Sequence, residues 1–169
     1  MDIVDIFMRN RKFVNCSLNH LEEYSRILSR EIIARNGKPD AIVYIERGGM
    51  VIGRLLSDAL GVKRVAGINA SYYVGMGKRA HRVSVGEVPR LGGRAGYLLL
   101  VDDIADTGKT LKKVSAQIAR RYGGKVLTCT VFYKPRSEVR PDFYVKEISN
   151  DKWIVFGYER REFDYLRHR

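Results

Sequence analysis

Three acids and a short glycine-containing loop lie together in the segment LLLVDDIADTGKT, residues 98–110. The segment ends in Gly-Lys-Thr, the three residues that also close a nucleotide-binding P-loop. A P-loop begins with a glycine that four residues separate from this ending, but Asp103 occupies that position here. Its carboxylate, with those of Asp102 and Asp106, would repel the β- and γ-phosphates of a triphosphate. The sequence therefore argues against a P-loop triphosphatase.

The same residues suit a ligand that carries one phosphate and one sugar. Residues 106–110 (Asp-Thr-Gly-Lys-Thr) offer free backbone amides, hydroxyl groups and the positive end of a helix dipole, which together can hold a phosphate monoester. The carboxylates of Asp102 and Asp103 can accept hydrogen bonds from sugar hydroxyls or join the coordination shell of Mg²⁺. The segment therefore favours a ribose 5-phosphate as the ligand.

Alternating strands and helices must position this segment. Apolar runs predict strands over residues 41–45, 62–70, 97–101 and 125–133, and helical spacing predicts helices over 19–35, 50–60 and 110–122. Asn19 and Glu22 have the spacing of a capping box, and Asn36-Gly37 ends the first helix. This alternation predicts an α/β fold with a largely parallel sheet, whose ligands gather at the carboxyl ends of the strands. We expect the pair of acids at the tip of the third strand.

The segment 98–110 resembles the thirteen-residue signature with which type I phosphoribosyltransferases bind phosphoribosyl pyrophosphate (PRPP). The signature has four apolar residues, two acids, two apolar or variable residues and then Asp-Thr-Gly-x-Thr, and every position fits. The resemblance implies the type I phosphoribosyltransferase fold, a largely parallel sheet flanked by helices with a small hood from the N- and C-terminal parts. The length of the chain and its lack of repeats and linker-like runs predict one domain over residues 1–169, which the resemblance, covering about residues 17–159, implies is a phosphoribosyltransferase domain.

The resemblance implies a role for each residue of the signature. Asp102 and Asp103 would bind the ribose diol, and Asp103 would also order Mg²⁺, the expected cofactor. Asp106 would lie near N7 of a purine and accept the proton that the base loses, which makes it the expected catalytic residue. The residues expected to hold the 5′-phosphate are Asp106, Thr107, Gly108, Lys109 and Thr110, with Lys109 at the variable position of the pattern.

The segment Glu46-Arg47-Gly48-Gly49 follows an apolar strand and opens a helix. Its glycines allow backbone amides to approach an anion, and Arg47 supplies a fork of hydrogen-bond donors. The resemblance implies that Arg47, Gly48 and Gly49 bind the pyrophosphate of PRPP, and that a cis peptide lies in or just before this loop.

Residues 71–95 are rich in glycine and basic residues and resemble the mobile lid of purine phosphoribosyltransferases, in particular the bacterial xanthine-guanine type. The resemblance implies that Ser71 and Tyr72 start the lid and that Arg79 reaches the pyrophosphate. A lid would exclude water from the ribosyl cation that forms during transfer. A solvated basic hairpin is the alternative for this segment.

The C-terminal part, residues 134–169, resembles the base-recognition hood of enzymes that act on 6-oxopurines. Lys134 would donate to O6 of the purine, Trp153 would stack on the ring, and the main chain of Ile154 would read the 2-substituent. A cation beside O6 favours an oxo group over an amino group. The sequence Gly157-Tyr158-Glu159 departs from the xanthine-guanine pattern, which leaves hypoxanthine, guanine and xanthine as candidate bases and adenine as an alternative.

Composition narrows the class of protein. The chain has 169 residues and a net charge of +12, from 31 basic and 19 acidic residues, which suits a phosphorylated ligand or nucleic acid. No apolar run approaches the ~20 residues of a membrane span. Acids at positions 2 and 5 precede any base, which is the wrong order for a secretory signal, so we expect a cytoplasmic protein. Cys16 and Cys129 lack metal-ligand spacing and are expected to be reduced thiols.

Together these observations predict a Mg²⁺-dependent purine phosphoribosyltransferase of the salvage pathway, a glycosyltransferase that converts PRPP and a 6-oxopurine into a nucleoside monophosphate and pyrophosphate. The resemblance also implies a homodimer or larger homo-oligomer. The alternative from another class is a PRPP-sensing regulator that binds nucleic acid. About sixteen residues precede the first predicted helix, too few for a helix-turn-helix, so we do not expect nucleic-acid binding.

Overall fold

A computed structural model describes residues 12–74, 81–92 and 96–159. Within these ranges strands and helices largely alternate along the chain. The elements are β1 (Lys12–Cys16), α1 (Leu18–Asn36), β2 (Ala41–Glu46), α2 (Gly49–Ala59), β3 (Val65–Val74), β4 (His81–Val85), β5 (Tyr97–Ala105), α3 (Lys109–Tyr122), β6 (Lys125–Tyr133), β7 (Phe143–Glu147) and β8 (Lys152–Phe156).

The main sheet has the strand order β4-β3-β2-β5-β6-β7. Every neighbouring pair from β3 to β7 is parallel, and only β4 runs antiparallel to its neighbour β3. The carboxyl ends of the parallel strands therefore meet at one edge, where α/β proteins bind their ligands. The predicted α/β fold with a largely parallel sheet is confirmed.

Both faces of the main sheet are covered by helices. Alternate side chains of β5 point to opposite faces, so Leu99 and Val101 pack into one apolar cluster while Leu98 and Leu100 pack into the other. The first cluster receives α1 and α2, and the second receives α3. As a result β5 is a central strand buried on both faces, a rigid support for the acids that it carries. No helix in the described ranges is long and apolar enough to cross a bilayer.

Strands β1 and β8 form a separate two-stranded parallel sheet, which we call the hood sheet. Its register runs from Lys12 opposite Lys152 to Cys16 opposite Phe156, and the amide of Gly157 continues it by donating to the Cys16 carbonyl at 2.8 Å. This arrangement agrees with the predicted hood from the two ends of the chain. The division into a lid and a hood within one domain stays a prediction.

The predicted start of the first helix is wrong in detail. Ser17 is the N-cap: its Oγ accepts from the His20 amide at 3.2 Å, and His20 Nδ1 accepts from the Ser17 amide at 3.3 Å. Asn19 lies inside α1, and Glu22 pairs with Arg26 on the exposed surface instead of capping. The predicted end is confirmed, because Gly37 takes a positive φ of 71° and its amide donates to the Ile33 carbonyl.

Two strands also differ from their predicted bounds. Strand β5 continues to Ala105, so Asp102 and Asp103 lie within the strand rather than at its tip. Strand β3 begins at Val65 instead of residue 62 and continues to Val74, so the backbone of Ser71 and Tyr72 belongs to it. Pairing with a neighbouring strand extends each element beyond its apolar run.

The two cysteines are free, as predicted, and both are buried. Burial, together with the charge of Asp103, raises the pKa of Cys16 to about 11. Burial also raises the pKa of Cys129. Both thiols are therefore protonated at neutral pH, the unreactive form.

We expect Ser17→Ala to lower the free energy of unfolding by about 1 kcal/mol, because it removes the acceptor for the His20 amide. The control Asn19→Ala should change that free energy by less than about 0.5 kcal/mol, since Asn19 is an exposed residue inside α1. Urea unfolding followed by circular dichroism measures both. Equal losses in the two variants would contradict the assignment of the cap to Ser17.

Candidate functional site

Asp102 and Asp103 are adjacent acids near the carboxyl end of β5. Asp103 is only 7% exposed, and its amide donates to Oδ1 of Asp102 at 3.0 Å. Burial and the charge of Asp103 raise the pKa of Asp102. Burial also raises the pKa of Asp103, against hydrogen bonds from the Tyr158 hydroxyl and backbone amides. A ligand that brings hydroxyl donors or a cation to these carboxylates would offset their lost hydration.

The loop before α2 packs directly on this part of β5. A Cβ atom on Gly48 would lie 2.5 Å from Oδ2 of Asp103, and one on Gly49 would lie 2.5 Å from the carbonyl oxygen of Val101. Both positions therefore require glycine for close packing, in addition to the access for an anion inferred from the sequence. The peptide bond between Glu46 and Arg47 is cis, as the resemblance implied.

A cavity of about 310 Å³ opens at this edge of the main sheet. Its wall combines residues from the PRPP-like signature, the loop before α2, the end of β6 and the hood sheet. The lining residues are Ile45, Glu46, Gly48, Ala70, Asp102, Asp103, Ile104, Asp106, Thr110, Lys134, Trp153, Ile154, Phe156 and Glu159. The fold thus brings three predicted groups of site residues, for PRPP, pyrophosphate and base, to one cavity.

Asp106 follows the end of β5 and contacts two cations. Its Oδ1 lies 3.3 Å from Nζ of Lys134 and accepts from Nε of Arg136 at 2.7 Å. Lys134 is 1% exposed, whereas the side chains of Asp106 and Arg136 are about one-third exposed. The buried ammonium group therefore has a carboxylate beside it, which reduces the cost of its desolvation.

The loop 106–110 turns into α3, which begins at Lys109. Gly108 has a φ of 73°, and a Cβ there would collide with Oγ of Ser137, so both conformation and packing require glycine. The Glu138 amide donates to the Thr107 carbonyl at 2.9 Å, which holds the loop against the chain after β6. Thr110 lines the cavity, while Thr107 and Lys109 are exposed beside it.

The hood sheet supplies the predicted base-binding residues. Trp153 is half-buried and Ile154 is 6% exposed, and both line the cavity. They pair in register with Phe13 and Val14 of β1, so the N-terminal strand positions the strand that carries them. Their contact with a base stays a prediction.

The residues predicted to bind pyrophosphate and to form the lid lie in two parts of the chain, the loop before α2 and the segment 71–95. Arg47 is exposed at the loop before α2. Ser71 is half-buried in β3, and the side chain of Tyr72 lies outside the described residues, as does Arg79. Strands β3 and β4 pair antiparallel from Ala70 opposite Val85 to Val74 opposite His81, so a hairpin-like ribbon forms part of the segment 71–95. Its role as a lid stays a prediction.

Sequence reasoning missed four polar residues at the site. Glu46 and Glu159 line the cavity, Arg136 binds Asp106, and the Tyr158 hydroxyl donates to Oδ2 of Asp103 at 2.7 Å. Burial and the charge of Asp103 raise the pKa of Tyr158, so its hydroxyl keeps its proton. The only local signal for Arg136 was its place two residues after Lys134. The contact between Tyr158 and Asp103 joins residues 55 positions apart and left no signal in the sequence.

The acids at the cavity suit magnesium that arrives with a substrate. The described residues contain no group of three or more metal-binding side chains that could hold an ion by themselves. Mg²⁺ typically binds to one or two carboxylates plus substrate phosphates and water. Asp102 and Asp103 provide carboxylates of this kind, so the residues present fit the ion.

Comparison with known proteins relates the chain to phosphoribosyltransferases. A model of the phosphoribosyl transferase domain matches residues 17–162. A xanthine-guanine phosphoribosyltransferase from Cereibacter sphaeroides is 32% identical over 124 residues, which cover 73% of this chain and 71% of that protein.

Solved structures show the same fold. The xanthine-guanine-hypoxanthine phosphoribosyltransferase of Helicobacter pylori superposes with a TM-score of 0.81 at 24% identity, over 94% of this chain and all of that one. A purine phosphoribosyltransferase from Pyrococcus horikoshii superposes with a TM-score of 0.74 at 28% identity, over 86% and 93% of the two chains.

The raised pKa values of the acid pair predict a pH-dependent stability. Above the pKa of an unfolded aspartate, about 3.9, the folded chain binds more protons than the unfolded chain, so the free energy of unfolding falls as pH rises. We expect Asp102→Asn to raise that free energy at pH 7 by on the order of 1 kcal/mol, because it removes one poorly hydrated charge. The gain should shrink towards pH 4.

Urea unfolding in EDTA from pH 4 to pH 7 measures this difference. Asp58→Asn, at an exposed acid of α2, is the control and should change stability by less than about 0.5 kcal/mol at pH 7. A less stable Asp102→Asn variant at pH 7 would contradict the expectation.

Proposed function

Since the chain belongs to the phosphoribosyl transferase family, we propose that it transfers the 5-phosphoribosyl group of PRPP to a nitrogen of a 6-oxopurine. The observation that carries the proposal is that the signature acids line one cavity together with Lys134 and Trp153. PRPP and the base can therefore bind next to each other, as transfer of the phosphoribosyl group to the base requires. The products are a purine nucleoside monophosphate and pyrophosphate.

PRPP lies along the edge of the sheet in this proposal. Amides of residues 106–110, with the hydroxyls of Thr107 and Thr110, bind the 5′-phosphate at the start of α3. Asp102 and Asp103 accept from the ribose hydroxyls, and Arg47, Gly48, Gly49 and Arg79 bind the pyrophosphate. Asp103 would hold Mg²⁺ together with substrate oxygens, and the ion would supply positive charge beside the leaving pyrophosphate.

The transfer breaks the bond between C1′ and a pyrophosphate oxygen and forms a bond between C1′ and the purine nitrogen. Configuration at C1′ inverts, and the base loses one proton. Asp106 lies at the same cavity and accepts this proton from N7. Lys134 and Arg136 hold the Asp106 carboxylate in place through their ion pairs.

The proposed base is a 6-oxopurine because of Lys134. Its Nζ is a buried donor, and a buried donor favours an oxo group, which accepts, over an amino group, which donates. The names of the relatives, which include xanthine, guanine and hypoxanthine, support the same class. Trp153 stacks on the ring and the Ile154 backbone reads the 2-substituent. We also propose that the protein works in purine salvage in the cytoplasm and assembles into a homodimer or larger homo-oligomer.

Pyrophosphate release tests the function. The protein is mixed with PRPP, Mg²⁺ and one base at a time, namely hypoxanthine, guanine, xanthine or adenine. Release with at least one 6-oxopurine is the expected result and also identifies the preferred base. Turnover with adenine alone would favour the adenine enzyme. Lack of turnover with every base, together with salt-sensitive DNA binding, would favour the regulator.

We expect Asp106→Asn to lower kcat by roughly 10²-fold or more, since an amide cannot accept the proton from the base. The KM for PRPP should change much less, because the backbone amides of the loop remain. Steady-state kinetics with the preferred base measures both constants. A variant with nearly the wild-type kcat would exclude Asp106 as the proton acceptor.

We expect Lys134→Met to lower kcat/KM for 6-oxopurines by roughly 10- to 100-fold while any activity with adenine falls less, because O6 loses a charged donor. Lys134 also pairs with Asp106, so Arg136→Met is the matched control that removes the other cation. The control should affect all bases equally. Equal losses for oxo and amino purines in Lys134→Met would contradict its role at O6.

A further inference from the structure

The Tyr158 hydroxyl lies at a junction of three parts of the site. It is 2.7 Å from Oδ2 of Asp103 on β5 and 3.2 Å from the carbonyl oxygen of Gly48 in the loop before α2. Tyr158 itself follows β8 of the hood sheet, two residues after Phe156. A hydroxyl carries one hydrogen, and the shorter distance assigns it to the Asp103 carboxylate.

Packing fixes the ring of Tyr158. It stacks on Phe156 with 5.2 Å between ring centroids and 11° between ring planes, and Phe156 is itself buried. The Glu159 amide donates to the Phe156 carbonyl at 2.9 Å, so the chain turns tightly around the tyrosine. The hydroxyl is therefore held rigidly where it meets Asp103, and its hydrogen bond can orient the carboxylate.

Close packing limits the carboxylate from the opposite side. The ideal Cβ position of Gly48 is 2.5 to 2.7 Å from all three atoms of the Asp103 carboxyl group. The carboxylate thus lies against bare backbone on one side, while Tyr158 holds one of its two oxygens. Asp103 lines the cavity, so the carboxylate held between Gly48 and Tyr158 lies where a ligand in the cavity can reach it.

We propose that Tyr158 is a positioning residue for PRPP, whose hydroxyl orients the Asp103 carboxylate towards the ribose diol. This inference rests on the proposed function. A carboxylate that is already oriented loses less freedom when the diol binds, so the hydrogen bond favours the bound state. The bond also links the hood sheet, which carries the base-binding residues, to the acid that binds the sugar.

The variant Tyr158→Phe tests the inference, because it keeps the ring on Phe156 and removes only the hydroxyl. Isothermal titration calorimetry with PRPP and Mg²⁺ measures affinity without turnover. We expect the Kd for PRPP to rise roughly tenfold, the effect of losing one hydrogen bond to a charged group. The KM for PRPP should rise in parallel, while kcat and the KM for the base at saturating PRPP stay close to wild type.

Tyr97→Phe is the matched control. Tyr97 lies at the opposite end of β5, and its hydroxyl donates to the Gly37 carbonyl, remote from the cavity. This variant also loses one hydroxyl hydrogen bond, but it should bind PRPP as the wild type does. An unchanged Kd in Tyr158→Phe, or an equal rise in the KM values for PRPP and base, would overturn the positioning role.

A double-mutant cycle ties the effect to Asp103. In an Asp103→Ala background the change Tyr158→Phe should alter the Kd by less than about twofold, because the acceptor is gone. A full tenfold effect in that background would show that Tyr158 acts elsewhere. A wild-type protein that fails to bind PRPP would overturn the proposed function as well. Binding that Tyr158→Phe leaves unchanged would overturn the inference alone.

Discussion

The poor hydration of two adjacent carboxylates in a central strand is the constraint on which the site depends. Asp102 and Asp103 lie within β5, between β2 and β6, where their charges are poorly hydrated. Such a pair persists only because the surrounding fold is strong enough to hold it. The same poor hydration makes hydroxyl donors and cations favourable partners. A ligand that supplies them, such as the proposed sugar-phosphate with its metal ion, offsets the desolvation cost of the two carboxylates.

Three residues further along the chain, the electrostatic setting is the opposite. Asp106 stands beyond the end of β5, partly exposed, with Lys134 and Arg136 beside it. The two cations reach it from the segment after β6, which also holds the loop 106–110 through the hydrogen bond from the Glu138 amide to the Thr107 carbonyl. The carboxyl end of β5 therefore presents two kinds of carboxylate. Asp106 has two basic partners, whereas the described ion pairs include none for Asp102 or Asp103. This division matches the separate proposed tasks of binding the sugar and accepting a proton.

Local pattern explains what could be predicted from the sequence. The glycine-containing loop 106–110 and the alternation of strands and helices depend on contiguous residues, and their spacing was sufficient to predict where they lie. The helix cap was ambiguous because Ser17 and Asn19 are both good capping residues two positions apart. The hood sheet and the bond between Tyr158 and Asp103 depend on pairing across long stretches of chain, for which a single sequence carries no periodic signal. Gly48 and Gly49 lie at the start of α2, as the sequence predicted, but their packing on β5 is a contact across about 53 residues that the sequence does not indicate.

The pairing of β1 with β8 has a consequence for biosynthesis. The two strands are about 140 residues apart, and ribosomes add roughly 5 to 20 residues each second. Strand β1 therefore stays without its partner β8 for roughly 7 to 28 seconds of synthesis, and Trp153 on β8 cannot pair with Phe13 earlier. The wall that β8 contributes to the cavity is consequently completed only after β5 and α3 have been synthesised.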